Sequence, residues 1–270
     1  VIVVANEKGG SGKSTVAMNI AVGLLKRGSR VATIDLDTRQ QTLTRYIDNR
    51  RTWAARAGRD LATPQHLHLE ETDDATASKA LAYTLDTMAA TYDYAVIDTP
   101  GHDSAAMRLA HAMADVLITP LNDSFIDLDV LGTLDPDTFA VGDISPYAKT
   151  VEEARYRRVT SGQTPTDWIV LRNRLSMTQT RNKRQVGTGI EELSRRLGFR
   201  CIEGLADRVV FREFYLRGLT ALDTFDEATL GKRPTLSHAT ARQEVENLLA
   251  AMNLDRFTQT PVAEQNRDAA

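Results

Sequence analysis

The run Lys8-Gly9-Gly10-Ser11-Gly12-Lys13-Ser14-Thr15 has the residue types needed to cradle a phosphate chain. Glycines let backbone N–H groups approach an anion closely, and a helix starting after the loop would aim its N-terminus at that anion. Lys13 would set a point charge on the β- and γ-phosphates, and the Ser14 hydroxyl would help to hold Mg²⁺. The plain pattern G-x-x-x-x-G-K-[ST] fails here, because Glu7 stands at its first glycine. A second lysine, Lys8, stands ahead of the Gly-Gly pair instead.

Acidic residues follow two later apolar runs: Asp35 and Asp37 after one, Asp98 after the other. Asp98 is the expected acidic partner of Mg²⁺, directly or through water. Thr99, Pro100 and Gly101 behind it form a hinged loop able to sense a γ-phosphate, since Gly101 can absorb a backbone change. Asp37 could orient an attacking water, although Asp35 or Asp37 taken alone reads equally well as a helix cap. The guanine-reading N-K-x-D pattern is absent, the nearest run, Asn182 to Gln185, lacking the acid. Asn173 at a strand end could offer its amide to adenine. ATP is the nucleotide these residues favour.

Such groups need a scaffold that gathers them. Apolar runs at 1–4, 30–34, 92–97, 115–119 and 168–171 read as strands, and they alternate with helical patterns near 16–25, 41–58, 75–90, 104–113, 151–160, 178–197 and 236–252. A short strand is expected at 199–202. Residues 58–74 read as a loop or insertion, and 121–148 resist assignment. The alternation predicts an α/β fold, a single-domain P-loop NTPase with a mostly parallel twisted sheet flanked by helices on both faces. In such sheets ligands sit beyond the carboxyl ends of the strands, where the motifs above fall. No internal repeat or low-complexity linker divides the chain, so residues 1–256 are expected to form the ATPase domain and 257–270 a polar, flexible tail.

Composition narrows the class. Of 270 residues, 42% are hydrophobic, and the net charge is −3, which gives no overall push toward nucleic acid. The single cysteine, Cys201, excludes a disulfide framework and an unaided iron–sulfur cluster. The histidines at 66, 68, 102, 111 and 238 lack metal-ligand spacing and read as surface or packing residues. With no signal peptide or transmembrane run in view, the expectation is a cytosolic protein without membrane binding.

These motifs carry a resemblance. Lys8 to Thr15, Asp35-Leu36-Asp37 and Asp98 to Gly101 resemble the deviant Walker A, switch I and switch II of the ParA/MinD ATPases. Asn6 to Gly10, Ile34 to Gln40, Asn49 to Trp53, Thr119 to Phe125, Trp168 to Arg174 and Gly198 to Arg200 narrow it to the MipZ group of division-site regulators. Thr38 stands where ParA proteins usually have proline, and His102 replaces an expected small residue. The resemblance implies an ATP-dependent homodimer in which Lys8 of each subunit reaches its partner's phosphates, Lys13 serves its own, and Asp37 supports slow hydrolysis. It also implies inhibition of FtsZ polymerisation, interaction with ParB, and non-specific DNA binding on the nucleoid.

Basic residues outnumber acidic ones between Lys149 and Arg217. A single arginine there reads as a solvated face, but the whole stretch in an acidic protein suggests a phosphate-binding patch, with Arg195, Arg196, Arg200, Arg208 and Arg212 as candidates. The competing reading is a ParA-type chromosome or plasmid partition ATPase with the same nucleotide chemistry. A metabolic or electron-transfer enzyme on this fold is disfavoured by the lone cysteine and the lack of a second substrate site. A catalytically dead scaffold is disfavoured by the intact Lys8, Lys13, Ser14, Asp37 and Asp98.

Overall fold

Short apolar runs without polar alternation are buried on both faces when they form strands, and this is what the computed structural model shows for β1 (Ile2–Val4), β2 (Val31–Asp35), β4 (Tyr94–Asp98), β5 (Val116–Asn122) and β8 (Asp167–Asn173). The structure describes residues 1–69, 73–175 and 181–254. The tail expected from 257 and the first residues of the helix expected at 178–197 lie outside them. Two further strands, β3 (Gln65–His68) and β9 (Arg200–Glu203), complete a seven-stranded sheet of order β3-β2-β4-β1-β5-β8-β9. All its described pairings are parallel.

Helices cover both faces. Against one pack α1 (Lys13–Lys26), α2 (Thr42–Ala57), α8 (Val209–Arg217) and α10 (Leu236–Ala251), around Ile20, Ile47, Phe214 and Leu248. Against the other pack α3 (Asp74–Ala89), α4 (Ala105–Met113), α6 (Pro146–Thr160) and α7 (Arg181–Leu197), around Leu81, Met107, Tyr147 and Leu193. The α/β expectation holds, with β1 at the centre and its loop opening at the carboxyl edge.

Several elements differ from the sequence reading. β3 lies inside the stretch expected to be loop; its Gln-His-Leu-His sequence has no apolar run because it is an edge strand. Helix α6 begins earlier than 151, at Pro146, where Ser145 caps it by accepting from Ala148 N–H. The unassigned 121–148 segment holds a single helical turn, α5 (Phe125–Leu128), and an antiparallel hairpin of β6 (Gly132–Leu134) and β7 (Val141–Ile144). Phe139 of the hairpin turn stacks on Phe125, with ring centres 5.9 Å apart. A second single turn, α9 (Glu227–Leu230), precedes α10.

Candidate nucleotide site

The loop after β1 is held from below and from the side. Asn6 is fully buried; its amide donates to Pro120 O at 2.7 Å and its oxygen accepts Lys8 N–H at 2.7 Å. Gly10 and Gly12 take positive φ of 77° and 91°, which an L side chain tolerates poorly. A Cβ on Gly12 would also lie 2.4 Å from Asn173 Nδ2. Gly12 caps α1, whose first turn supplies Lys13, Ser14 and Thr15. Ser11 is buried under the loop.

Lys13 is nearly buried, and its Nζ donates to Lys8 O at 3.2 Å. Burial pulls its ammonium below the usual range, and Asp98 and Asp37 oppose that shift. Lys8 points elsewhere. Its Nζ lies 3.0 Å from Asp127 Oδ1 on α5, a carboxylate that the sequence reading did not single out.

Asp35 and Asp98 end neighbouring strands in register with each other. Asp98 is 2% exposed and hydrogen-bonds the Ser14 hydroxyl. Its Oδ1 has no hydrogen-bond partner among the described residues. Burial, with Asp35 and Asp37 adding to it, pushes the Asp98 carboxyl up to about 8, against the opposing pull of Ser14 and Lys13. An unpartnered buried carboxylate oxygen beside a hydroxyl is an all-oxygen donor set suited to a hard cation such as Mg²⁺.

The two switch segments are anchored differently. Thr99 is buried, with both its N–H and its hydroxyl donating to Val4 O at 3.2 Å, and Pro100 is buried beside it. The mouth of that loop begins at Gly101, where a Cβ would lie 3.4 Å from Gly9 N. Asp37 accepts Gln40 N–H at 2.9 Å and lines a 270 Å³ cleft with Gly9, Gly10, Gly12, Lys13, Ser14, Thr15, Thr99 and Gly101. The structure therefore gathers the phosphate, metal and switch candidates around one space.

A second cleft of 330 Å³ opens from the first, sharing Gly12, Thr15, Thr42 and Arg174. Leu205, Ala206, Asp207, Phe211 and Tyr215 also line it, and the sequence reading gave none of them a place in the site. Its size and its apolar walls suit a nucleobase. Asn173 borders it but is committed to the scaffold: its Nδ2 donates to Ser11 O at 2.8 Å and its Oδ1 accepts Leu205 N–H at 3.1 Å. It ties the phosphate loop to the turn after β9. The signal for these walls was the Gly204-Leu-Ala-Asp207 turn after β9, which has no motif of its own.

The five candidate arginines are not gathered. Arg200 forks onto Asp167 at 2.9 and 2.6 Å and donates to Ala251 O, and Arg208 forks onto Glu244 at 2.9 and 2.8 Å. Both guanidinium groups brace the fold. Arg195 and Arg196 lie exposed on α7 beside Glu192 and Glu152, and Arg212 lies exposed on α8 beside Asp207. The side chains of Arg181, Lys183 and Arg184 lie outside the described residues.

Protein IncC of Escherichia coli is 30% identical over 141 residues, which is 44% of this chain and 39% of that protein, so the match spans well under half of that relative's length. Apo McdA from Cyanothece superposes with TM-score 0.60 at 16% identity, over 93% of this chain and 96% of its own. The MinC:MinD cell division protein complex of Aquifex aeolicus contains a chain that superposes with TM-score 0.55 at 16% identity, over 96% of each. At such identities the two structures show the fold alone. The family model described as ATPase MipZ matches residues 1–256, nearly the whole sequence, and the chain belongs to the MipZ family of ATPases.

Proposed function

We propose that this ATPase is an ATP-controlled dimeric switch that positions the division site by inhibiting FtsZ polymerisation, with residues 1–256 as its ATPase domain. The observation that carries the reading is the MipZ family match over 1–256. The gathered site supports it. Lys13 and the backbone of Gly9 to Gly12 hold the β- and γ-phosphates, and the pocket walled by Leu205, Ala206, Phe211 and Tyr215 takes the adenine. Ser14 and Asp98 hold Mg²⁺, which would neutralise charge on the phosphate oxygens. Asp37 orients the attacking water, Gly101 lets the following loop respond to the γ-phosphate, and Lys8 reaches the partner's nucleotide.

In this reading the ATP dimer engages ParB and binds nucleoid DNA without sequence preference. The exposed Arg195, Arg196 and Arg212 are its phosphate contacts, and slow hydrolysis resets it. Among the described residues no helix is long and apolar enough to cross a membrane. The test is sedimentation of FtsZ polymers formed with GTP, with this protein added together with ATP or ADP. Fewer or shorter polymers with ATP only is the expected result. No effect despite confirmed dimerisation would point to a ParA-type partition ATPase instead.

The Asp98 carboxyl gives a second measurable consequence. Pushed up to about 8 by burial, it should hold a proton at pH 7 and lose it on accepting a cation. Binding of Mg²⁺–ATP should then release a proton at pH 7, and affinity should rise with pH until about 8 and level off. Titration calorimetry in phosphate and Tris buffers reads the proton as a difference in apparent enthalpy, and Asp98→Asn should abolish that difference. Equal enthalpies in the two buffers for the unaltered protein would refute a proton-holding Asp98.

A further inference from the structure

A hydrogen-bonded chain runs from the sheet edge to the first switch segment, and none of the roles above uses it. Asp35 closes β2 and is 1% exposed. One of its oxygens accepts Asp37 N–H at 3.0 Å; the other accepts Thr44 N–H at 3.0 Å and the Thr44 hydroxyl at 2.9 Å. Thr44 Oγ1 lies 3.0 Å from His66 Nε2, and His66 Nδ1 lies 2.9 Å from Thr33 Oγ1. The parallel register of β2 and β3 sets Thr33 opposite His66.

The acceptor at one end sets a direction for the chain. Burial pushes the Asp35 carboxyl up while its hydrogen bonds from Thr44 and Asp37 oppose that shift, and the Thr44 hydroxyl donates to its second oxygen. A Thr44 oxygen that has given its proton away receives Nε2–H from His66. Nδ1 is then bare and accepts from the Thr33 hydroxyl, for which the Gln65 carbonyl at 3.3 Å is the longer alternative. Burial, joined by the nearby Arg51, pulls the His66 ring down to about 4, so it stays neutral as this chain requires.

We propose that Thr44 and His66 are positioning residues for hydrolysis: the chain Thr33–His66–Thr44 locks the Asp35 carboxylate, and Asp35 fixes the turn from which Asp37 meets the cleft. The edge strand thereby bears on the geometry of the turn that carries Asp37. This rests on the reading of Asp37 as the residue that orients water.

Thr44→Val keeps the side-chain shape and the backbone link to Asp35 but removes the hydroxyl. His66→Leu removes the ring's nitrogens, and His66→Gln returns an amide donor. Thr44→Val and His66→Leu should each lower kcat about fivefold, the worth of one hydrogen bond in the transition state. ATP affinity and ATP-dependent dimerisation should stay within about twofold, as they do for sites outside a shared network. The double variant should be no slower than the worse single one, and His66→Gln should recover most of the rate. In the unaltered protein, ¹⁵N NMR should show His66 as the neutral Nε2–H tautomer, a readout independent of any variant's folding.

An Nδ1–H tautomer would overturn the proposal, as would unchanged kcat in both single variants, or kcat falling in parallel with ATP affinity. Failure of the underlying reading looks different. Asp37→Ala turning over at the normal rate would sink the water-orienting role itself. Asp37→Ala inactive, with Thr44→Val and His66→Leu unchanged, would sink the positioning chain alone.

Discussion

Replacing Arg50 with alanine is expected to lower the unfolding free energy by about 3–5 kcal/mol, the loss typical of a buried ion pair stripped of one partner. Arg50 is a charged side chain on α2 that is fully buried, as is its partner Asp223. The guanidinium forks onto that carboxylate at 2.7 and 2.8 Å and donates to Gly218 O at 2.8 Å and to Ala62 O at 2.9 Å. Asp223 also accepts Thr220 N–H at 2.7 Å, and Lys26 approaches it at 3.6 Å. These partners hold the Asp223 carboxyl below its usual range despite its burial.

Without Arg50 that buried carboxylate would lose its guanidinium fork and keep the Thr220 N–H and hydroxyl, with the Lys26 ammonium at 3.6 Å. The backbone there cannot collapse to compensate: Gly218 sits so close that a Cβ would lie 2.0 Å from Arg50 N. Urea unfolding monitored by circular dichroism should show the lowered midpoint with an unchanged slope. Arg50→Met combined with Asp223→Leu should recover much of the loss, because removing both charges removes the uncompensated one. A change under about 1 kcal/mol in Arg50→Ala would mean that the pair is wet and weak, as exposed pairs are. Since α2 also carries Thr44, a loosened α2 should cost hydrolysis as well as stability.

Arg50 also marks where sequence reasoning runs out. The Arg-rich stretch at 41–58 reads as a polar helix, and helix α2 does form there. That one of its arginines is buried cannot be read locally, because Asp223 lies 173 residues away. Most strands behind the site were legible because each pairs an apolar run with a following Gly, Asp or Asn, and parallel topology brings those ends to one edge; β5 instead runs on past Pro120 to Asn122. β3 was not, because an edge strand needs no apolar run. His66 was read as a packing or surface residue for the same reason: its partners, Thr33 and Thr44, become neighbours only when β3 pairs with β2. Asn173 was placed correctly at a strand end, but its amide is engaged with Ser11 and Leu205, which spacing alone does not disclose. The walls of the second cleft come from a turn and α8, where the chemistry is mainly shape and leaves no motif.

Lys8→Ala is expected to abolish ATP-dependent dimerisation while leaving the monomer able to bind nucleotide. The two lysines of the loop occupy different places: Lys13 is buried against the phosphate cradle, whereas the Lys8 ammonium is about one-third exposed and leans on Asp127. A residue serving its own phosphates belongs in the first position, and one that reaches across an interface belongs in the second. In a two-fold dimer each Lys8 acts once on either side, so the substitution removes two contacts at once. Truncating one partner of a close charge pair costs about 2–5 kcal/mol, so losing two weakens the dimer by at least about a thousandfold. Analytical ultracentrifugation with Mg²⁺–ATP, in an Asp37→Ala background that keeps the nucleotide intact, reads this directly. Lys13→Ala is the contrast, losing nucleotide binding and with it everything downstream. Undiminished dimers with Lys8→Ala would confine Lys8 to its own subunit, and Asp127 would then be its structural partner.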